Sequence, residues 1–594
     1  MHVVATAGHV DHGKSTLLRA MTGMEPDRWA EEKRRGLTID LGFAWTTLPS
    51  GRDVAFVDVP GHERFLGNML AGLGPTPVVL FVVAADEGWQ AQSGDHRDAV
   101  AALGIEHGVI VLSRADRAAA GADVIADVLA DVRRELASTG LADAPAVTVS
   151  AVDGTGMAEL AAVLDEVLCA LPDPTRDGPV RVWVDRSFSI TGAGTVVTGT
   201  LSSGTLRVGD HLSVVGRDGA RPVTVRGLQS EGRPAEQLEP ASRSAVNLRG
   251  VGAAEVERGD ALVTPDAWWT TTVVDVRRVG GTGFEDVPEH VTAHLGSAAL
   301  SARVRPFGQD HARLTLDRAV PVSVADRLVL RQPGERILGG ALVLDVDPPA
   351  LRRRGDAARR GEELAALTPA TQVAVEVARR GAVELGLLRR MGIPGGVPDG
   401  VLVEGGWLVD PGALAAWARH LADLVADVHR TQPLSPGLNR SAAGDLLGLP
   451  TDAVLDLVAR TAGLVSEGGY LRSPDHGGLG AAEAAVARLE QRLAEQPFLA
   501  PGADDLTAAG LGARELGAAE RAGRLLRFGD GVVLLPDAPA RAMRVLAGLD
   551  QPFTTSDARQ ALGTTRRVVI PLLEHLDRRG WTRRLDGVLR QVVR

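Results

Sequence analysis

Cysteine is almost absent from this chain: of 594 residues, only position 169 carries one. That excludes an intrachain disulfide framework and any zinc or iron–sulfur site built on cysteines. A lone thiol is expected to be buried and inert, in a cytosolic protein. Long apolar runs are missing too. The longest uncharged apolar stretch, residues 77–85, has about nine residues, whereas a bilayer span needs ~20. The opening MHVVATAGHVDHGKS has no basic segment followed by an apolar one, so neither a membrane anchor nor a secretory leader is expected. Positive charge is also in deficit. At a net −11 the chain is no purely electrostatic nucleic-acid binder, and any such contact must come from local basic patches. Lysine is the last scarcity: Lys14 and Lys33 stand alone among 64 basic residues. A G+C-rich genome explains the arginine bias. A surviving lysine marks a place where a planar guanidinium is the wrong shape.

At roughly 100–200 residues per domain, the length allows three to six domains. The composition, 45% apolar and 23% charged, is that of a globular protein. Residues 1–171 alternate apolar runs (VVATAG, VAFVDVPG, VVLFVVAA, GVIVLS, APAVTVSA) with helical stretches such as residues 14–22 and 123–138. This rhythm predicts an α/β domain with a parallel sheet covered on both faces. A proline-marked linker follows at 171–179. Residues 180–265 and 268–349 then read as two β-barrels, short β-rich runs broken by glycine turns. The arginine-rich run 352–360 reads as a solvated linker. Beyond it, four similar hairpin turns recur every 56–63 residues, at Gly405, Gly468, Asp530 and Asp586. Helix pairs precede three of them. Helix, turn, helix, hairpin is the plan of a winged-helix module, and a fixed period predicts an array. Four modules are expected, over 360–411, 412–475, 476–537 and 538–594, the first with the weakest helix–turn–helix signal.

Gly8-His9-Val10-Asp11-His12-Gly13-Lys14-Ser15 fits GxxxxGK[ST], after an apolar strand and at the start of a helix, the context a phosphate-binding loop requires. Backbone N–H groups there form an anion nest, reinforced by the helix N-terminus. Lys14 places an ammonium between the β- and γ-phosphates, Ser15 offers a hydroxyl to Mg²⁺, and Thr16 continues the loop into the helix. Asp58 and Gly61, in DVPGH, are placed to orient Mg²⁺ and to offer an N–H to the γ-phosphate. Thr38, in RGLTIDLGF, is the second hydroxyl for the metal. Ser113-Arg114-Ala115-Asp116 is a degraded form of the guanine-reading pattern Asn-Lys-x-Asp. Asp116 can accept both guanine N1–H and N2–H₂, which adenine lacks, and a buried Asp left unpaired would penalise ATP. Ser150-Ala151 ends the next strand, where a backbone N–H can meet guanine O6. GTP and Mg²⁺ are thus the expected cofactors.

These motifs resemble the translational GTPases. FSITGAGTVVTGTLSSGTLRVGD, at 188–210, is similar to the second domain of elongation factor Tu. The resemblance implies that His62 positions the attacking water, with Val10 and Leu37 as its apolar gate, and that the ribosome completes the site. The winged-helix tail resembles the bacterial selenocysteine-specific elongation factor family, as does the closing ALGTTRRVVIPLLEHLDRRGWTRR. This implies delivery of selenocysteyl-tRNA at recoded UGA codons, steered by an mRNA hairpin. Charge agrees: residues 551–594 hold nine arginines against four acids. Arg566, Arg567, Arg583 and Arg584 are the expected contacts to an RNA backbone, whose sequence is read at exposed loops. By position, Asp185, Arg186 and Arg243 match the charged aminoacyl pocket of that family. A fixed guanidinium favours a selenolate, as a nearby cation lowers any acid's pKa; serine cannot ionise to meet it. A surface salt bridge would be the plainer reading of Asp185. The protein is expected to be monomeric and off the membrane. Two alternatives stay open: a general aminoacyl-tRNA or initiation-type GTPase with an unrelated tail, and a winged-helix regulator whose GTPase has decayed. His290 and His294 have helical metal spacing but lie in a strand-like segment, so zinc is not expected.

Overall fold

A computed structural model describes residues 2–26, 38–117, 121–172, 176–192, 194–332, 336–476 and 479–593. Leu37, expected in the apolar gate, lies outside them. The chain divides into two compact units, Met1–Val373 with Gly386–Gly396, and Ala374–Leu385 with Val397–Arg594.

The first unit opens on six strands, β1 (His2–Ala7), β2 (Gly42–Thr47), β3 (Asp53–Asp58), β4 (Val78–Ala84), β5 (His107–Ser113) and β6 (Ala146–Thr148), in the order β2-β3-β1-β4-β5-β6. Helices α1 (Lys14–Thr22), α2 (Leu66–Leu73), α3 (Ala91–Leu103), α4 (Gly121–Leu136) and α5 (Met157–Cys169) cover it. The strand alternation assigns the faces. Val78, Leu80 and Val82 pack with Leu17, Leu18, Leu160 and Leu164 of α1 and α5. Val79, Phe81 and Val83 pack with Met69, Val100 and Val132 of α2, α3 and α4. A strand buried on both faces reads as an unbroken apolar run, which is why β4 was legible. The sheet is not wholly parallel, as β2 runs antiparallel to β3. Its sequence, GFAWTT, carries only a half-buried edge pattern. Cys169, expected to be buried, is exposed at the end of α5.

Strands Arg181–Ile190, Gly194–Ser203, His211–Gly216, Gly219–Ser230, Ser242–Arg249 and Ala261–Val263 close into one barrel, and six strands from Thr270–Val279 to Ile337–Asp345 into another. The junction is pinned by two indoles. Trp268 donates to the Val180 carbonyl at 2.9 Å and Trp269 to that of Val346 at 2.8 Å. Arg181 adds a two-pronged pair to Asp326, both bonds 2.7 Å. The arginine run after the second barrel is not simply a solvated linker. Arg352–Arg354 and Arg359 are exposed, but Arg360, on helix Asp356–Ala366, is buried. It donates to Asp275 at 2.8 Å and to Asp345 at 2.5 Å, beside Arg313 on the same Asp275. Two buried carboxylates need a cation with a fork, and one member of the run supplies it.

His294 sits in strand His290–Leu295, as expected, and is buried with its ring against Gly67 of α2. Burial, helped by Arg331, lowers its pKa to about 4. The unfolded ring protonates from about 6.5 downward while the folded one resists, so stability falls as the pH drops below 6.5. From pH 7.5 to 5 this costs about 2 kcal/mol. Thermal unfolding across that range should show the loss, and His294→Gln should remove about that much of the pH dependence, the rest following buried His12 and His96. A parallel profile for the variant would refute the assignment.

In the second unit, Asn439 and Thr451 cap the helices Arg440–Leu447 and Asp452–Thr461 through their side chains, and strands Val465–Glu467 and Tyr470–Arg472 form the wing. Helices Ala503–Ala508 and Ala513–Arg521, with strands Leu526–Arg527 and Val533–Leu534, repeat the plan. The last module has helices Thr555–Ala561 and Arg566–Arg578 and a sheet in which Leu589–Val592 lies between Phe553–Thr554 and Thr582–Arg584. The first departs from it. Residues 391–401 contain no second helix before the hairpin Leu402–Val409, so the weak signal there reflects a missing element.

Candidate functional site

The C-terminal ends of β1, β3, β5 and β6 converge on a cavity of about 540 Å³, the size of a nucleotide-class ligand site. Val10, Asp11, Gly13, Lys14, Ser15 and Thr16 form its floor. The loop's curl comes from left-handed residues at Asp11 (φ 67°) and Gly13 (φ 81°). Lys14 Nζ is half-tethered, donating to the carbonyls of Gly8 and His9 at 2.9 Å each. Gln92 of α3 accepts the Val10 N–H at 3.3 Å. Gly8 and His12 do not reach the cavity wall. A Cβ on Gly8 would overlap the Val82 carbonyl. The His12 ring is buried against that carbonyl at 3.4 Å, and desolvation lowers its pKa to about 3. Both therefore shape the loop from beneath.

At the phosphate end, Ser15 Oγ and Thr38 Oγ1 are 3.1 Å apart. Adjacent oxygens of an octahedral Mg²⁺ shell with ~2.1 Å bonds lie about 3 Å apart, so the pair fits one edge of such a shell. Asp58 is fully buried behind them and accepts the Thr6 hydroxyl at 2.8 Å. Gly61 faces the cavity, and a Cβ there would come within 2.6 Å of Lys14 Nζ. His96 of α3 is buried against Gly61, and burial holds it well below the ordinary imidazole pKa. His62 is half-buried beside this group. Its Nδ1 accepts the Arg64 N–H at 3.2 Å, capping the turn Glu63–Phe65. In the neutral ring, that bond leaves the proton on Nε2.

At the base end, Ser113, Arg114, Asp116 and Ala151 line the wall. The Ser113 hydroxyl donates to the His12 carbonyl at 2.6 Å, so it ties β5 to the phosphate loop. Arg114, in the left-handed region (φ 55°), anchors its guanidinium to Glu87 at 2.5 Å and to the Asp11 carbonyl. Its stem is left along the wall. Asp116 is exposed, contrary to the expectation of a buried carboxylate. Any discrimination it exerts comes from desolvation by the entering base itself. The Ser150 N–H is used by the Thr155 carbonyl at 2.9 Å, so a contact to a base carbonyl falls to Ala151.

A second cavity, of 230 Å³, lies between β2 and the first barrel. Arg186 and Arg243 line it, and Asp185 is buried behind them. Asp185 pairs with Arg243 and accepts the Thr198 hydroxyl at 2.7 Å. Burial pushes the Asp185 carboxyl up, but Arg243 and Thr198 outweigh it and hold it below the usual carboxylate range. The pair is therefore not a surface salt bridge. The motif reading missed Phe43 and Asp40, which reach this group from β2 and the loop before it, and Arg258, which joins them from the barrel. Only proximity reveals them.

In the last module, Arg566 and Arg583 are exposed. Arg567, expected to touch RNA, instead donates to the carbonyls of Ala500 and Pro501 at 2.9 and 2.7 Å. Arg584 folds back onto the Asp586 and Gly587 carbonyls of the wing turn.

The chain matches four family models: the elongation factor Tu GTP-binding domain over residues 1–170, elongation factor Tu domain 2 over 194–263, the selenocysteine-specific elongation factor β-barrel domain over 287–350, and the elongation factor SelB winged helix over 544–589. It is 33% identical to the selenocysteine-specific elongation factor of Escherichia coli K12, over 100% of this chain and 99% of that protein. A crystal structure of a bacterial selenocysteine-specific elongation factor superposes with a TM-score of 0.78 at 24% identity, over 100% of both chains. The factor SelB of Methanococcus maripaludis, bound to the GTP analogue GppNHp, aligns with a TM-score of 0.51 at 24% identity, over 58% of this chain and 79% of that one. Among the described residues, no helix is long and apolar enough to cross a membrane. With that identity over the whole length of both proteins, the chain belongs to the selenocysteine-specific elongation factors, translational GTPases with a winged-helix tail.

Proposed function

We propose that this chain carries selenocysteyl-tRNA to the ribosome at recoded UGA codons, holding GTP and Mg²⁺ in the first cavity and the selenocysteyl end in the second. The observation that carries this is the buried Asp185–Arg243 pair with Arg186 in a cavity bordering the GTPase domain. Its fixed cations suit an anionic selenolate and leave a serine hydroxyl underpaired. In the first cavity, the loop N–H groups and Lys14 hold the phosphates, Asp116 and Ala151 read the guanine, and Ser113 and Arg114 brace that wall. Ser15 and Thr38, backed by Asp58, would hold Mg²⁺, which neutralises charge on the β- and γ-phosphates when bound. Gly61 orients the γ-phosphate and His62 the attacking water, with the ribosome completing the site. A general aminoacyl-tRNA factor has no use for this charged pocket. A regulator with a decayed GTPase has none for an assembled Lys14–Ser15–Thr38 cluster.

The test is protection of an aminoacyl ester from hydrolysis. One tRNA is charged with selenocysteine or with serine and presented with a GTP analogue or with GDP. Protection of selenocysteine alone, and only with the analogue, is expected. Equal protection of both amino acids would move specificity to the tRNA body. No protection would favour the regulator.

The mRNA hairpin is assigned to the last module, through Arg566, Arg583 and the wing that Arg584 braces. Arg566→Ala should weaken binding of a hairpin RNA and lower its salt slope by about one, with melting unchanged. Arg567→Ala should destabilise the module by about 1–3 kcal/mol and leave the slope intact. Titrations at several salt concentrations, with thermal melts, separate the two. The reverse assignment holds if Arg567→Ala alone moves the slope.

A further inference from the structure

The two cavities are joined by one short segment. Thr38 stands at the phosphate end of the first, 3.1 Å from Ser15. Two residues on, Asp40 accepts Arg258 at 2.7 Å and Arg186 at 3.2 Å. Three further on, the Phe43 ring meets both pocket cations, with the guanidinium carbon of Arg243 4.1 Å and that of Arg186 4.9 Å from its centroid. The segment is also held from α2, where Asn68 donates to the Ile39 carbonyl at 2.9 Å and accepts Arg258 at 2.6 Å. Arg258 closes the circuit by donating to the Asp185 carbonyl at 2.9 Å. One aromatic ring thus holds two like charges, which a cation–π contact favours and an aliphatic side chain does not.

We propose that Asp40 and Phe43 are positioning residues of the selenocysteyl pocket, holding Arg186 and Arg243 in their receiving geometry only while Thr38 is drawn to the nucleotide's phosphate end. The inference rests on the pocket reading above and adds its control. Arg186 and Arg243 belong to the barrel. Asp185 and Thr200 of the barrel hold one end of Arg243, but its ring partner and the carboxylate partner of Arg186 come from a segment of the GTPase domain that begins at a nucleotide-facing hydroxyl. When that segment relaxes, Arg186 loses its carboxylate partner and both guanidiniums lose their shared ring. The pocket keeps its charge but loses its geometry, so selenocysteine binding follows the nucleotide state.

The test measures ester protection of selenocysteyl- and seryl-tRNA by the full chain, with a GTP analogue and with GDP. The proteins are wild type, Asp40→Asn, Phe43→Leu and Phe43→Tyr. Asp40→Asn should lower the GTP-over-GDP preference for selenocysteyl-tRNA by about tenfold, the scale of coupling between sites. The effect must also be reciprocal. Selenocysteyl-tRNA should slow release of a fluorescent GTP analogue from the wild type, and slow it about tenfold less in Asp40→Asn. Phe43→Leu should lower selenocysteine-over-serine selectivity by about fivefold, and Phe43→Tyr, which keeps the ring, should restore it. A merely structural role would weaken both amino acids alike and would not distinguish Leu from Tyr. If Asp40→Asn also loses the analogue, Phe43→Leu against Phe43→Tyr decides. Wild-type selectivity and nucleotide preference in both Asp40→Asn and Phe43→Leu, with selectivity lost in Arg243→Ala, would overturn this inference and leave the pocket reading standing. A wild type that protects neither ester would overturn both.

Discussion

His62→Ala should lower ribosome-stimulated GTP hydrolysis by about 10²–10⁴-fold, the range for loss of a group that handles a proton or orients a nucleophile in the transition state. Nucleotide affinity should change little, because the His62 side chain does not line the cavity. Its Nδ1 is committed to the Arg64 N–H, and that bond fixes which edge of the ring can serve water. The proton on Nε2 lies on the ring edge away from the cap and is available as a donor. The cap itself is worth about 1 kcal/mol, so the alanine variant stays folded. Single-turnover phosphate release with saturating ribosomes separates the outcomes. A fall of less than about threefold would remove His62 from the chemistry and leave positioning to the ribosome and the metal. His62→Gln should recover part of the rate, since an amide can accept the Arg64 N–H and still donate.

Much of this was legible in the chain. The phosphate loop sits between a strand and a helix because an apolar run, a glycine pattern and a lysine announce all three together. Helix α1 spans Lys14–Thr22, the stretch the periodicity marks. The two barrels and the repeated hairpins follow from alternation and turn residues. What was not legible depends on contacts between distant segments. Nothing local distinguishes Arg360 from Arg359, yet one meets Asp275, 85 positions away, and the other faces water. Arg566 and Arg567 are neighbours at the start of one helix, but only Arg567 finds carbonyls 66 and 67 residues earlier. Phe43 carries no motif. Its importance comes from Arg186 and Arg243, brought to the same ring from two strands of another domain. Charge pattern identifies candidates, and burial decides which of them are structural.

Arg243→Ala should abolish discrimination between selenocysteine and serine, reducing selenocysteyl protection by about 10²–10³-fold while seryl protection changes little. Losing one partner of a desolvated, hydrogen-bonded charge pair costs ~2–5 kcal/mol, much of it from the charge left behind. Here that charge is Asp185, 4% exposed. Without Arg243, burial acts on Asp185 with less opposition and raises its pKa. A neutral or misplaced Asp185 then offers an incoming selenolate either nothing or repulsion. Arg243→Lys should recover only part of the loss, since an ammonium keeps the charge but lacks the fork and the flat face that stacks on Phe43. A pH series gives an independent reading. In the wild type, Asp185 is held below the usual carboxylate range. Its contribution is therefore complete at neutral pH and is lost only as the pH falls through that lowered value. A fall in selenocysteyl protection between neutral and mildly acidic pH follows either the selenol of the ligand or Glu231, which lines the cavity with its carboxyl raised by burial; seryl protection stays flat over the same interval only if the selenol is the group. If both esters lose protection in parallel, the ionising group belongs to the protein and the selenolate argument fails. If selenocysteine alone loses it, and Arg243→Ala removes the pH dependence along with the affinity, the recognised species is the anion and Arg243 is its counter-charge.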